Sequence, residues 1–268
     1  MEEKKTSVNE ELTNVLPDIK NIKSSESYTL PSKGLCYTEE ENIPASITLR
    51  RMTTKEDKIR MRNEGEDQVR KDLLQACILE NIDVGKLKLQ DANFLLFKLR
   101  VLSLLDDKYK ITCTCSTCGT QFIHEIELNK LSVNYLTKTK LKDLEITLPV
   151  SKIKVSLKYP SLDNTIMMTN KLKEYFNKFP NADKGEAITT IGTMLYVDKV
   201  NGQKLLSEEL EDFVDNTDIL DGRYLNKAIT KLDNHFGLND KLIGICPNCN
   251  SEVPHGLPIT GELFTPST

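Results

Sequence analysis

Four of the seven cysteines stand in two Cys-x-x-Cys pairs, Cys115/Cys118 and Cys246/Cys249. That spacing puts two thiolates on one tight turn, close enough to share a tetrahedral ion at about 2.3 Å from each sulfur. Gly119 follows the first pair and Asn250 the second, the residue types that accept the left-handed backbone of such a turn. Two facing turns supply four thiolates and leave no open coordination position. The chemistry expected is therefore one structural Zn2+ per chain held by Cys115, Cys118, Cys246 and Cys249. Four thiolates also suit iron.

Three other readings of these cysteines compete. A redox Cys-x-x-Cys normally opens a helix, whose N-terminus lowers the thiol pKa. Here the residues after Cys118 alternate as a strand, which disfavours redox chemistry. Buried thiols without a metal are the bland alternative, yet two such pairs seldom arise by accident. A catalytic zinc needs a vacant position, which four cysteines remove. Cys113 extends the first cluster to Cys-x-Cys-x-x-Cys and is expected to be a spectator. Cys36 and Cys77 stand alone and read as small buried hydrophobes.

Nothing else in the sequence selects a reaction. There is no phosphate-binding glycine loop, no dinucleotide fingerprint, no nucleophile elbow and no His-Glu-x-x-His. His124, His235 and His255 are scattered and expected at the surface or half-buried. Acidic pairs such as Glu208–Glu209 read as solvated faces. No catalytic residue is assigned, and the chain is expected not to be an enzyme.

The elements that must position the cysteines are legible from periodicity. Ser46–Met52 alternates as a strand, and Thr53 or Thr54 caps a helix with Glu56 or Asp57 as partner. Leu73–Ile82 and Asp91–Leu105 carry helical apolar spacing, with Asp91 as a candidate cap. A strand then leads into Cys115, and the residues after Cys118 form another. The second half repeats this order. Ile153–Tyr159 alternates like Ser46–Met52, Pro160 and Ser161 open a helix, Ala187–Val197 matches Leu73–Ile82, and Asp221–Gly237 matches Asp91–Leu105. Tyr224 then faces Phe94, and Leu225 faces Leu95. Asp91 to Cys115 and Asp221 to Cys246 differ in length by one residue.

The fold class expected is α+β: pseudo-duplicated strand–helices–strand units joined by a split four-cysteine zinc ribbon. Well over a hundred residues separate the two pairs, and a pseudo-two-fold axis would bring equivalent turns together. The domains expected are a flexible arm at 1–27, a first α+β unit at 28–138, a second at 139–256, and a C-terminal tail at 257–268. In that tail Leu257, Ile259, Leu263 and Phe264 lie among Pro and Gly, either to order on a partner or to pack on their own domain. The basic run Lys138–Asp143 reads as a solvated strand edge.

Bulk properties narrow the class. The 268 residues carry a formal charge of −4, which argues against a dedicated nucleic-acid surface. No apolar run is long enough to span a bilayer. The first residues lack a secretory h-region, so a reducing cytosol is expected, where metal ligands are favoured over disulfides.

The runs YTLPSKGLCYTEE, ITLRRMTTKEDKIRM and LQDANFLLFKLRVLSLLDDKYKITCTCSTCG, and the ending CPNCNSEVPHGLPITGELFTPS, resemble the baseplate-hub assembly proteins of T-even-type contractile-tailed bacteriophages. The likeness covers most of residues 28–268, with Cys113 and the missing glycine after Cys249 as departures. It implies a structural or chaperone-like component of the tail baseplate hub, acting by contact with other tail proteins. It also implies a place in the host bacterial cytoplasm during assembly, and leaves open whether the protein stays in the virion tail baseplate or departs after assembly. On that likeness the four cysteines match the metal knuckles. The alternative from another class is a zinc-ribbon nucleic-acid or transcription accessory protein, which would need a basic face beside the knuckles.

Overall fold

The computed structural model describes residues 25–62, 64–181, 183–258 and 261–264. Seven α-helices and five small antiparallel sheets alternate in these residues, an α+β arrangement. β1 (Ser25–Thr29) pairs with β2 (Ser46–Arg50), with Tyr28 opposite Ile47. Helices α1 (Thr54–Arg60), α2 (Glu66–Cys77) and α3 (Leu89–Leu104) follow. The hairpin β3 (Lys108–Thr114)–β4 (Gln121–Glu127) carries the first cysteine pair at its tip.

β5 (Val133–Asn134) pairs with the later β9 (Gly237–Leu238). β6 (Glu145–Thr147), β7 (Lys154–Leu157) and β8 (Val197–Val200) form a three-stranded sheet. Between and after these run α4 (Leu162–Lys178), α5 (Lys184–Tyr196), α6 (Ser207–Asp215) and α7 (Ile219–Asp233). The hairpin β10 (Leu242–Ile245)–β11 (Glu252–His255) presents the second pair.

The helix starts follow from capping chemistry. Glu56 accepts from the Thr53 amide at 2.8 Å, while Thr53 Oγ1 accepts from Lys55 N at 3.3 Å. Ser161 and Asn164 make the same reciprocal box before α4. Each box satisfies amides that a helix start leaves orphaned. α3 is apolar on nearly every side because it is the spine of the first core, with Ala92, Leu95, Leu96, Leu99 and Leu102 buried together.

Two separate cores result. The first gathers Leu30, Ile47, Leu49, the inner faces of α2 and α3, and Tyr109 and Ile126 of the first hairpin. The second gathers Leu136, Leu148, Val155, Leu157, Leu225, Leu232 and Phe236. Lys71 Nζ to Asp163 at 2.6 Å and Thr169 to Asp67 at 3.0 Å join α2 to α4. Leu89 N donates to Pro160 O at 2.8 Å, and Leu162 N to Leu87 O at 3.0 Å.

Asp91 is not a helix cap. The helix begins at Leu89, and the buried Asp91 carboxylate accepts from the Ser32 amide at 3.0 Å and from Tyr37 Oη at 2.8 Å. Asp221 does the corresponding thing in α7, accepting from the Val150 and Ser151 amides at 2.7 and 2.9 Å. The loops they hold both run Thr-Leu-Pro, with Leu30 and Leu148 fully buried and Lys33 and Lys152 at positive φ. β8 lies on β7 beside the second strand pair, and Ile78 makes a single bridge to Leu49 beside the first.

Two expectations need correction, and one pair of alternatives is decided. Ser25–Glu26–Ser27, expected in the arm, belong to β1, because Tyr28 packs edge-on against Phe94 and draws the strand onto α3; residues 1–24 lie outside the described residues. The Lys138–Asp143 run is not a strand edge. Lys140–Leu144 is a 3-10 turn whose Leu141 and Leu144 pack on the second core, with Asp143 held by Lys231 at 2.8 Å. The tail packs on its own chain. Leu257, Leu263 and Phe264 are buried in the first core, and the fully buried Arg100 donates to Leu263 O at 2.6 Å; Ile259 and residues 265–268 lie outside the described residues.

Candidate metal centre

The two hairpin tips have the same backbone geometry, residue for residue. Cys115 N donates to Thr120 O at 2.9 Å and Cys246 N to Ser251 O at 3.0 Å. Gly119 N donates to Cys115 O, and Asn250 N to Cys246 O, each at 2.9 Å. Gly119 and Asn250 are left-handed, at φ 73° and 59°, as the turn requires. A hydroxyl two residues beyond the second cysteine lies 3.3 Å from its sulfur in both turns, Thr120 at Cys118 and Ser251 at Cys249.

The tips face each other and their sulfurs cross-pair. Cys115 Sγ lies 3.6 Å from Cys249 Sγ, and Cys118 Sγ lies 3.6 Å from Cys246 Sγ. All four lie within 4.8 Å of one another. A disulfide needs about 2.05 Å, so these are not bonded pairs. A tetrahedron with ligands at about 2.3 Å has edges near 3.8 Å; the two cross-pairs at 3.6 Å come close to this, and no separation exceeds 4.8 Å. Among the described residues this is the one group of three or more His, Cys, Asp or Glu side chains placed to hold an ion.

The electrostatics favour thiolate and a counter-cation together. The Thr120 hydroxyl, with its own amide and Asn248, pushes the Cys118 thiol down to about 5. The Cys118 amide lowers Cys115 likewise. The Cys249 amide also acts to lower Cys246, but burial and shared hydrogen bonds with Cys118 and Cys249 prevail and push it up to about 11. Four sulfurs this close cannot all ionise alone, and a divalent cation at their centre removes the conflict.

Cys113 is buried one pleat below Cys115, with its sulfur against Ile111 O, and is not in the group of four. Cys77 is buried and Cys36 half-buried, far from the cluster in the fold. The equivalent of Cys113 on β10 is Gly244. A side chain there would meet the Phe122 ring at 3.2 Å, so the first hairpin lies directly on the second.

Two histidines that the sequence left scattered come together on this seam. His124 Nδ1 and His255 Nε2 are 2.7 Å apart with their rings edge to face. Each follows the second cysteine of its pair by six residues, a repeat that was available to count. Burial, then the charge of His255, lowers the His124 pKa. His235 is buried elsewhere, 2.8 Å from Tyr159 Oη and 3.2 Å from Asp143.

Residues 24–264 match the model of the family described as T4 bacteriophage base plate protein. The chain belongs to that family. Comparison with curated proteins and with solved structures gives no match. The base plate family match spans both cysteine pairs and everything between them. No helix among the described residues is long and apolar enough to cross a membrane.

Proposed function

We propose that this base plate chain is a structural or assembly component of the baseplate hub, built from two repeated α+β units stapled by one structural zinc. The observation that carries it is the convergence of Cys115, Cys118, Cys246 and Cys249 within a chain of the base plate family. The zinc supplies cross-linking alone, since four thiolates close its coordination. The chain acts through contacts with other tail and baseplate hub proteins, without catalysis. It meets them in the host bacterial cytoplasm during assembly and remains with the virion baseplate.

The repeat reading has several independent supports. Both units run paired strands, capped helix, second helix, helix with a buried aspartate and cysteine hairpin in that order, with α6 inserted in the second and β8 answered in the first by the single Leu49–Ile78 bridge. Asp91 and Asp221 hold equivalent Thr-Leu-Pro loops, and His124 meets His255 where equivalent strands face. The units are taken as 28–138 and 139–256, with Ser25–Ser27 of β1 joined to the first.

Elemental analysis of purified protein tests the staple, with a Cys246→Ser, Cys249→Ser variant beside it. About one zinc per chain is expected in the wild type, lost in the variant together with stability. Recovery of tail proteins in a pull-down then tests the hub assignment. Metal-free wild-type protein would remove the staple. The nucleic-acid alternative has no observation in its favour: Lys108 is paired with Glu125 at 2.9 Å, and Glu127, Asp240 and Glu252 offset Lys110 and Lys241 around the hairpins.

A further inference from the structure

A cavity of about 390 Å³ lies between the start of α3 and the end of α7. The buried Phe97 and Phe236 line its inner side, and the exposed Asp233 and Asp240 stand at its mouth. Gln90 and Asn93, one helical turn apart on α3, line it too. The backbone of β9 presses on Gln90, since a side chain at Gly237 would meet its Cβ at 3.1 Å.

These two amides carry oxygens that the fold does not use. Gln90 Nε2 lies 3.4 Å from Asp233 Oδ1, which fixes the amide with Oε1 as its other end. Among the described residues neither Gln90 Oε1 nor Asn93 Oδ1 has a hydrogen-bond partner, although both oxygens are buried. A buried acceptor without a donor is costly, so its retention asks for a reason. The repeat does not supply one. On the spacing of Asp91 to Asp221, Leu220 and Arg223 stand at these positions of α7, and Leu220 is exposed.

The lining suits a cation rich in donors. Asp233 and Asp240 add carboxylates to the two carbonyl oxygens, and the lysine beside them, Lys241, already lies 2.9 Å from Asn234 Oδ1. Tyr196 Oη donates to Asp233 Oδ1 at 2.6 Å and holds that carboxylate in place. The carboxyl end of α7 adds negative potential. An anion would be repelled here, and an apolar group would leave the carbonyls unpaired. A guanidinium presents a planar fork of N–H donors, is more weakly hydrated than an ammonium, and stacks on aromatic rings such as those of Phe97 and Phe236.

We propose that this cavity receives an arginine side chain of a partner protein, its guanidinium bonded to Gln90 Oε1, Asn93 Oδ1 and the carboxylate of Asp233. This rests on the reading of the chain as a baseplate component that acts by protein contact. The walls come from both units, so the bound arginine bridges them at a place separate from the cysteine hairpins.

N-acetyl-arginine amide is the probe, and N-acetyl-citrulline amide, a neutral urea of the same shape, is its control. In the full chain the arginine probe should shift the amide signals of Asn93 and Gly237 saturably, and citrulline should bind at least about tenfold more weakly. Gln90→Leu, Asn93→Leu should abolish binding without lowering the urea midpoint, because two unpaired acceptors are removed. Asp233→Asn, at the exposed mouth, should weaken the arginine probe about tenfold and leave citrulline unchanged. Unmoved signals, or equal affinity for the two probes, overturn the proposal. So does binding that survives these substitutions, which would mark diffuse attraction to an acidic chain. A lower urea midpoint in the leucine pair overturns it as well, since the oxygens would then serve the fold. Pull-down of tail proteins separates this site from the assembly reading. Recovery by the wild type that is lost with Asp233→Asn supports the arginine contact. Equal recovery by every variant overturns it while the baseplate reading stands. If the wild type recovers none, that reading falls and the arginine partner with it.

Discussion

At the scale of single residues, the chain's chemistry sits in four sulfurs and two imidazoles. A Cys118→Ser substitution leaves the other three thiols without their strongest anionic neighbour. Metal affinity should fall by at least about tenfold, read by competition with a chromogenic chelator. The imidazoles set a pH dependence. Burial lowers the pKa of both His124 and His235 below the ordinary 6.5. The unfolded chain then binds more protons than the native one just below pH 6.5. Stability contributed by these groups is complete above that value and is lost as pH falls toward their depressed folded values. Asp91 acts in the opposite sense, since burial pushes it up to about 6 and its contribution is lost as pH rises through that value. The clean test is a difference: His124→Asn should flatten the dependence of the urea midpoint on pH between roughly 6.5 and 5 relative to wild type. An unchanged slope would show that the seam does not feel the proton.

At the scale of elements, helices are fixed to loops by buried carboxylates as well as by apolar faces. Asp91→Ala leaves the Ser32 amide and the Tyr37 hydroxyl without their acceptor inside the fold. A cost of about 3 kcal/mol is expected, measured by urea denaturation. Asp221→Ala should act in the same direction through the Val150 and Ser151 amides. The capping boxes at Thr53 and Ser161 were legible from residue type, as were both cysteine hairpins, because each signal is local. The role of Asp91 was not, since an aspartate near a helix start looks like a cap whether or not a distant loop reaches it. The turn at Lys140–Leu144 was missed for a related reason. Its lysines suggested an edge, while the spacing of Leu141 and Leu144 meant burial. The histidine contact was hidden because nothing local marks two residues 131 apart as neighbours; only the shared offset from each cysteine pair does.

At the scale of the whole molecule, two cores share one chain that crosses between them. The tail returns to the first core, where Arg100 also binds the carbonyls of Asp106 and Lys108 at 2.6 and 2.9 Å. Arg100→Met keeps the apolar stem and removes these carbonyl contacts. It should cost about 3 kcal/mol and expose the chain after Gly256 to limited proteolysis. Resistance equal to wild type would mean that Leu257, Leu263 and Phe264 hold the tail without help.

The return of the tail also has a consequence for synthesis. The strands and helices of the first core emerge from the ribosome well before Leu263 and Phe264, which fill their interior. At roughly 5–20 residues per second, α3 waits on the order of ten seconds for them. Cys115 and Cys118 wait a similar time for their partners. A nascent chain stalled before Cys246 would hold an incomplete interior and half of the cysteine cluster. The first core is therefore complete only once Phe264 has been made, and shorter products should be open to proteolysis.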